Sequence, residues 1–323
     1  MPYPTVQELK KADPHQATPF DSIFVLQKKT VRTAKNGSPF LSISLSDKTG
    51  SFSIVCFDNS PSYALFESLT EGEVLRVEGK TAYYQSQFSP HIDKIEPQAI
   101  ETLTDEMIEQ LVEVSSENAD ALWEELQGYI QAIEPPELQQ TLKLALEELG
   151  EDFKNAPGAI MMHHAYRSGL LEHTVHILRA AKVLLPLYPE VDSNLALAGI
   201  ILHDIGKTIE YEGELAYKKS KQGRLYGHVV LGYRLTRQAG LQARLDPERL
   251  ERLEHIVLSH QGELEWGAAV LAATPEAVFV SMIDNLDAKM GMVQNALRKA
   301  APDATFSEYL PGLKNAILIE PVT

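Results

Sequence analysis

Eight consecutive apolar residues, Leu195 through Leu202, run straight into His203-Asp204. A segment that is apolar all round makes a helix with no solvent face, so it must be packed on every side. A carboxylate at the end of such a helix is desolvated, which is costly unless a cation or several strong donors receive it. The fold therefore has to bring other polar groups to that helix end. A metal ion meets the requirement, because adjacent His and Asp side chains can both reach one.

Other residues are spaced to join the pair. His173, in Gly169-Leu170-Leu171-Glu172-His173-Thr174-Val175, shares a helical face with Ile177, Ala180 and Leu184 and is expected to point inward. Asp284 lies in a helix with a clear start: Thr274 as N-cap, Pro275 at the first position and Glu276 in the first turn. That helix buries Phe279, Val280, Ile283 and Leu286, which sets Asp284 at the edge of the apolar stripe. Two imidazoles and two carboxylates with no thiolate suit a hard or borderline divalent cation: manganese first, with magnesium, cobalt and iron as alternatives. Such a site lowers the pKa of bound water and neutralises charge on a phosphoryl oxygen.

The N-terminal part has a different rhythm. From Phe20 to Pro97 short runs alternate with period two, as in Phe40–Leu45, between turn signals at Lys35-Asn36-Gly37 and Asp47-Lys48-Thr49-Gly50. Five strands, with a helix at 62–69 between the third and fourth, outline an OB-fold barrel. Phe40, Phe57, Tyr83, Tyr84 and Phe88, with Lys28, Lys29, Arg32 and Lys35, are available to stack bases beside a basic groove or to fill the barrel core. Residues 100–155 read as helices with an acidic face, broken at Pro135-Pro136. The expected architecture is multidomain, α and β: an OB-fold β-barrel at 16–98, an acidic helical connector at 99–155, and an all-α domain at 156–310.

The net charge of −16 counts against a nucleic-acid partner until it is mapped. Residues 100–160 hold 15 acidic against 2 basic side chains, whereas 1–99 hold 11 against 10 and 161–323 hold 19 against 17. The excess sits in one segment, and its field is screened over roughly 8 Å at physiological salt. It therefore counts little against a polynucleotide substrate. A lone cysteine, Cys56, leaves no disulfide framework and no thiolate zinc site. With no apolar run of membrane-spanning length, a cytoplasmic protein without membrane contact is expected.

His173, His203-Asp204 and Asp284 match the H…HD…D signature of HD-domain phosphohydrolases. The words His163-His164-Ala165-Tyr166, Leu202-His203-Asp204-Ile205-Gly206-Lys207, Gly227-His228, Leu258-Ser259-His260 and Asp284-Asn285-Leu286-Asp287 resemble the YhaM-type 3′–5′ exoribonucleases, which also carry an N-terminal OB-fold. The resemblance implies metal-dependent removal of nucleotides from the 3′ end of single-stranded RNA, with single-stranded DNA as a second substrate. Gln261 stands where that family leads one to expect a second histidine after His260, Ser168 where it has glycine, and Phe57 where it has a barrel tryptophan.

In that frame the centre holds one or two ions. Asp204 is expected to bridge a pair, and His228 and His260 to bind the second. His260 continues the stripe of Leu250, Leu253 and Val257, whereas His255 lies on the polar side of its helix. Lys207 is the expected catalytic cation beside Asp204. A basic loop of Lys218, Lys219, Lys221 and Arg224, with His163, His164 and Tyr166, is expected to line the substrate path. His176 is left a structural or supporting role. Two alternatives stay open: a phosphohydrolase of free or cyclic nucleotides, and a nucleic-acid-binding protein with an inactive HD site. Self-association into a homo-oligomer is open as well.

Overall fold

The alternating residues of the N-terminal third become five antiparallel strands in a computed structural model, which describes residues 3–34, 37–85, 87–112, 115, 117–159, 166–213, 215–300 and 304–320. The strands are β1 (Pro19–Thr33), β2 (Pro39–Asp47), β3 (Gly50–Phe57), β4 (Val74–Lys80) and β7 (His91–Gln98), with the two-residue pair β5 (Tyr83–Tyr84) and β6 (Gln87–Phe88) between the last two. The sheet runs β3-β2-β1-β4-β7. Strand β1 serves two partners: residues 19–25 pair with β4 and residues 25–33 with β2, across a register shift between Leu26 and Lys28. A local irregularity of this kind bends a long strand so that one sheet can wrap its own core. That core holds Phe24, Leu26, Leu41, Ile43, Leu45, Phe52, Phe66 and Leu75. The helix between the third and fourth strands, α2 (Tyr63–Ser68), follows a short N-terminal helix α1 (Val6–Leu9) capped by Thr5 and Glu8.

The chain divides into two units, residues 1–114 with 213–217, and residues 115–212 with 218–323. In the first unit a satellite cluster joins Ile23, Val25 and Val74 to Leu111 of α3 (Asp105–Leu111) and to Leu215. The second unit is helical: α4 (Ala119–Ala132), α5 (Pro136–Leu149), α6 (Glu151–Asn155), α7 (Gly169–Leu184), α8 (Ser193–Leu202), α9 (Lys207–Glu210), α10 (Lys221–Gln242), α11 (Pro247–Ser259) and α12 (Pro275–Lys299), with a two-stranded ribbon of β8 (Tyr211–Glu212) and β9 (Lys218–Lys219).

The acidic helices α4 and α5 are amphipathic. Leu122, Leu126 and Ile130 of one and Leu138, Leu142 and Leu146 of the other enter the same core as α7, α8 and α11. At the centre of that core α8, capped by Asp192 accepting from the backbone N–H groups of Asn194 and Leu195, is buried almost along its length. A Cβ at Gly199 would lie 2.8 Å from the Ile256 side chain, so glycine there lets α8 and α11 approach closely. Helix α12 starts as the sequence implies, with Thr274 accepting from Ala277 N–H and Pro275 in the first turn. Glu276 does more than face the helix dipole: it is buried, accepts from Asp192 N–H at 3.0 Å and pairs with Arg252 at 2.8 Å.

Candidate metal centre

Four helices deliver the polar groups to the end of α8. His173 comes from the first half of α7, His203-Asp204 from the turn that ends α8, His228 from α10, His260 from the C-cap of α11, and Asp284 from the middle of α12. Gly206 lets that turn lie against α10, since a Cβ there would fall 2.0 Å from the His228 carbonyl oxygen. Gly227, at φ 69 and ψ 161, breaks α10 immediately before His228 and aims the imidazole. Only glycine adopts that backbone region without strain.

The Asp204 carboxylate lies between two histidine pairs. Its Oδ2 is 3.3 Å from His203 Nε2 and 3.7 Å from His173 Nε2, while its Oδ1 is 3.5 Å from both His228 Nε2 and His260 Nε2. Asp284 Oδ1 closes the first half at 3.2 Å from His173 Nε2 and 3.8 Å from His203 Nε2. Lys207 Nζ, almost buried, sits 2.5 Å from Asp204 Oδ2.

Every one of these imidazoles has its other nitrogen committed to an oxygen that can only accept. Nδ1 of His173 faces Asp287 Oδ2 at 2.7 Å, and that of His203 the Ile200 carbonyl at 2.6 Å. Nδ1 of His228 faces Glu210 Oε2 at 2.7 Å, and that of His260 the Val257 carbonyl at 2.7 Å. Each Nδ1 can therefore donate its proton outward, which leaves Nε2 as the nitrogen that each ring presents to the centre.

The side chains also offset one another's charge: burial works against a charged His173, but hydrogen bonds to Asp284 and Asp287 outweigh it and raise its pKa. Burial works against charge on Asp204, yet Lys207 and His203 outweigh it and hold the carboxyl well below its usual range. Burial opposes charge on Asp284 too, but the hydrogen bond and charge of His173 and the charge of His203 hold it at about 2. His228 is pushed down by burial, against the pull of Glu210, which favours the neutral ring that binds metals.

The donor set fits a divalent cation on its own chemistry. Asp204 Oδ1 is buried and has no hydrogen-bond partner among the described residues. A desolvated carboxylate oxygen ringed by imidazole nitrogens is stabilised by a cation and by little else. His173-His203-Asp204 and Asp204-His228-His260 each offer ligand atoms within 4.8 Å of one another. Gln261 bears on the second set, its Nε2 lying 3.1 Å from His228 Nε2 and 3.0 Å from His260 Nε2. His255 stays apart, its Nε2 accepting from Ala273 N–H at 2.8 Å.

The remaining expected residues are placed as follows. His163 and His164 lie outside the described residues. The Tyr166 hydroxyl donates to the buried Glu172 at 2.6 Å, and burial with that carboxylate pushes the phenol well up. The expected basic loop is instead strand β9 and the first turn of α10: Lys219 pairs with Glu210 at 2.7 Å, Lys218 with Glu212 at 3.5 Å, and Arg224 is exposed. His176 meets Glu117 at 2.9 Å.

On the OB-fold sheet one outward row joins Arg32, Phe40 and Phe57 across three strands, with Thr30-Ser42-Val55 and Lys28-Ser44-Ser53 behind it. Phe57 is half exposed, and its ring lies 5.9 Å from that of Phe40. Other residues expected to be available for binding do internal work. Lys29 Nζ donates to the carbonyls of Phe66, Glu67 and Leu69 at the end of α2. Phe88 packs against the core, and the Tyr83 hydroxyl donates to the Lys10 carbonyl at 2.8 Å. Lys35 lies outside the described residues.

Sequence reasoning missed Asp287 and Glu210, the carboxylates behind His173 and His228. The signal was present as spacing: Asp287 follows Asp284 by three on α12, and Glu210 follows Lys207 by three on α9.

Residues 170–289 match the HD domain, and residues 25–98 match an OB-fold nucleic acid binding domain. A protein named 3′–5′ exoribonuclease YhaM from Geobacillus sp. (strain WCH70) is 32% identical over 307 residues, which is 94% of this chain and 92% of that protein.

Proposed function

The chain belongs to the YhaM 3′–5′ exoribonuclease family, and from that premise we propose that it hydrolyses single-stranded RNA from the 3′ end at the His/Asp centre. The observation that carries this reading of the site is the orphaned Oδ1 of Asp204, set among the described residues 3.5 Å from the Nε2 atoms of His228 and His260.

His173, His203, Asp204 and Asp284 would hold one divalent ion, and Asp204, His228 and His260 a second. Manganese is the first choice, and magnesium, cobalt and iron fit the same donors. Such ions supply Lewis-acid activation of water and neutralise charge at the phosphorus. The chain's own groups do the rest. Lys207, pinned beside Asp204, offers a short, nearly desolvated ammonium to a non-bridging phosphate oxygen, where a fixed charge is most effective. Asp287, Glu210 and the two backbone carbonyls fix all four rings before substrate arrives, so little reorganisation remains. Gln261 can turn its amide oxygen towards His228 and His260 as a weaker ligand, which makes the second ion the more exchangeable one.

The outward row of Arg32, Phe40 and Phe57 would hold the strand upstream of its 3′ end, by base stacking beside a cation. Stacking tolerates every base and either sugar, so single-stranded DNA is a second substrate. A cytoplasmic setting suits an RNA substrate and a lone, buried Cys56.

The test is direct. Single strands labelled at the 5′ end are incubated with the protein and Mn2+ or Mg2+, and the products are resolved on a gel. A ladder shortening from the 3′ end supports the assignment. Intact strands alongside hydrolysed free or cyclic nucleotides would move the activity to small molecules. No product from either, with strands still bound, would leave a binding protein.

A further inference from the structure

The metal-facing end of His228 depends on what lies behind the ring. Glu210 ends α9 with its side chain 2% exposed, and its two oxygens have different partners. One accepts Nδ1–H of His228 at 2.7 Å, and the other lies 2.7 Å from Lys219 Nζ. Lys219 sits on β9 with its side chain 48% exposed. The backbone holds this arrangement firmly. The Glu210 carbonyl accepts from Ser220 N–H, and Ser220 Oγ donates to the Ile209 carbonyl at 2.7 Å while capping α10. A Cβ at Gly223 would fall 2.3 Å from the Glu210 carbonyl oxygen. An exposed ammonium, a buried carboxylate, an imidazole and the orphaned Asp204 Oδ1 thus stand in an unbroken line.

Charge moves along such a line. A carboxylate behind an imidazole strengthens the lone pair on its far nitrogen, and outer partners of this kind typically alter metal affinity by about 10–100-fold. An ammonium on the second carboxylate oxygen draws electron density the other way. A phosphodiester oxygen competing for that ammonium removes the opposing pull.

We propose that Glu210 and Lys219 are positioning residues through which a substrate phosphate at β9 tightens the metal held by His228. The inference rests on the reading of His228 as a ligand of a second ion. It turns Lys219 from a simple phosphate contact into a sensor: an empty enzyme keeps its second ion loosely, and a loaded one keeps it firmly.

The probe is Mn2+ alone, titrated calorimetrically into chelator-stripped full-length protein without RNA. Wild type should show two steps. In Lys219→Gln the weaker step should tighten by roughly two- to five-fold, the scale of one exposed ion pair, and Lys219→Arg should restore the wild-type value. Glu210→Gln, which keeps shape and loses charge, should weaken the same step by about 10-fold or more. A lysine that only touches substrate would raise KM and leave these isotherms alone. Two wild-type steps, with the weaker one unmoved or loosened in Lys219→Gln, overturn the coupling while the two-ion reading stands. Uptake of a single ion per wild-type chain overturns both, because no second ion is then held at His228.

Discussion

Asp204 is the residue on which most depends, because among the described residues it is the carboxylate shared by both histidine pairs. Asp204→Asn keeps the shape and removes the charge. Its expected outcome is a folded protein by circular dichroism with little bound metal. The rate should fall by more than the roughly 10²–10³-fold that one lost electrostatic contact costs. His255→Ala is the control, since His255 Nε2 accepts from the Ala273 N–H and takes no part in the Asp204 clusters: metal content should be unchanged. Full activity in Asp204→Asn would remove the assignment of the site. A second charged residue bears on stability. Glu117 accepts from both Arg179 nitrogens at 2.8 Å and meets His176 at 2.9 Å. The Arg179 hydrogen bond, opposed by partial burial and aided by His176, holds its carboxyl down at about 2 against an ordinary 4.5. Because the folded value is the lower one, the stabilisation is complete above about pH 4.5 and drains away as the pH falls towards 2. The Tm gap between wild type and Glu117→Gln should therefore narrow between pH 6 and pH 3. An equal gap at both would mean that the carboxylate is not linked to folding.

At the level of elements, the break in α10 is the feature with the sharpest consequence. Gly227 occupies a backbone region nearly closed to other residues, so Gly227→Ala should cost about 1–3 kcal/mol of stability by urea denaturation. If the chain relieves that strain by straightening the helix, His228 swings away from Asp204 and the weaker metal step disappears first. An unchanged unfolding midpoint and unchanged metal uptake would show the break to be incidental. On the sheet, Phe40→Ala with Phe57→Ala should raise KM for long RNA far more than it lowers kcat, since each lost base stack is worth roughly 1–3 kcal/mol of uniform binding. Equal KM values would assign that face elsewhere. These elements differ in how far they were legible. The strands of the OB-fold and the helix α8 were readable because period-two alternation and an all-apolar run each admit one burial pattern. His173, His203, Asp204 and Asp284 stood out because polar residues on buried stripes need a reason. Asp287 and Glu210 did not, since a carboxylate one turn from a charged neighbour reads as ordinary helix surface. Lys29 was misleading in the opposite sense: beside Lys28 on a strand it looks like groove lining, and only three-dimensional contact ties it to the end of α2. The break at Gly227 has no periodic signature at all.

For the whole molecule, the uneven charge makes an expectation about salt. A chain with a net charge of −16 can grip RNA only through local cations. If four of them, Lys28, Arg32, Lys207 and Arg224, meet phosphates, log affinity should fall against log salt with a slope of roughly −3, from about 0.7 per phosphate on a single strand. A slope near zero would mean that stacking alone holds the strand. The single cysteine of the 323 residues, Cys56, is buried within the OB-fold core, and every metal-facing side chain ends in nitrogen or oxygen. Reagents that seek out sulfhydryl groups would consequently find nothing to attack at the proposed centre. Iodoacetamide or a mild oxidant should leave turnover intact at doses that silence thiol-dependent enzymes, and a covalent inhibitor would have to be built around imidazole or the Lys207 amine.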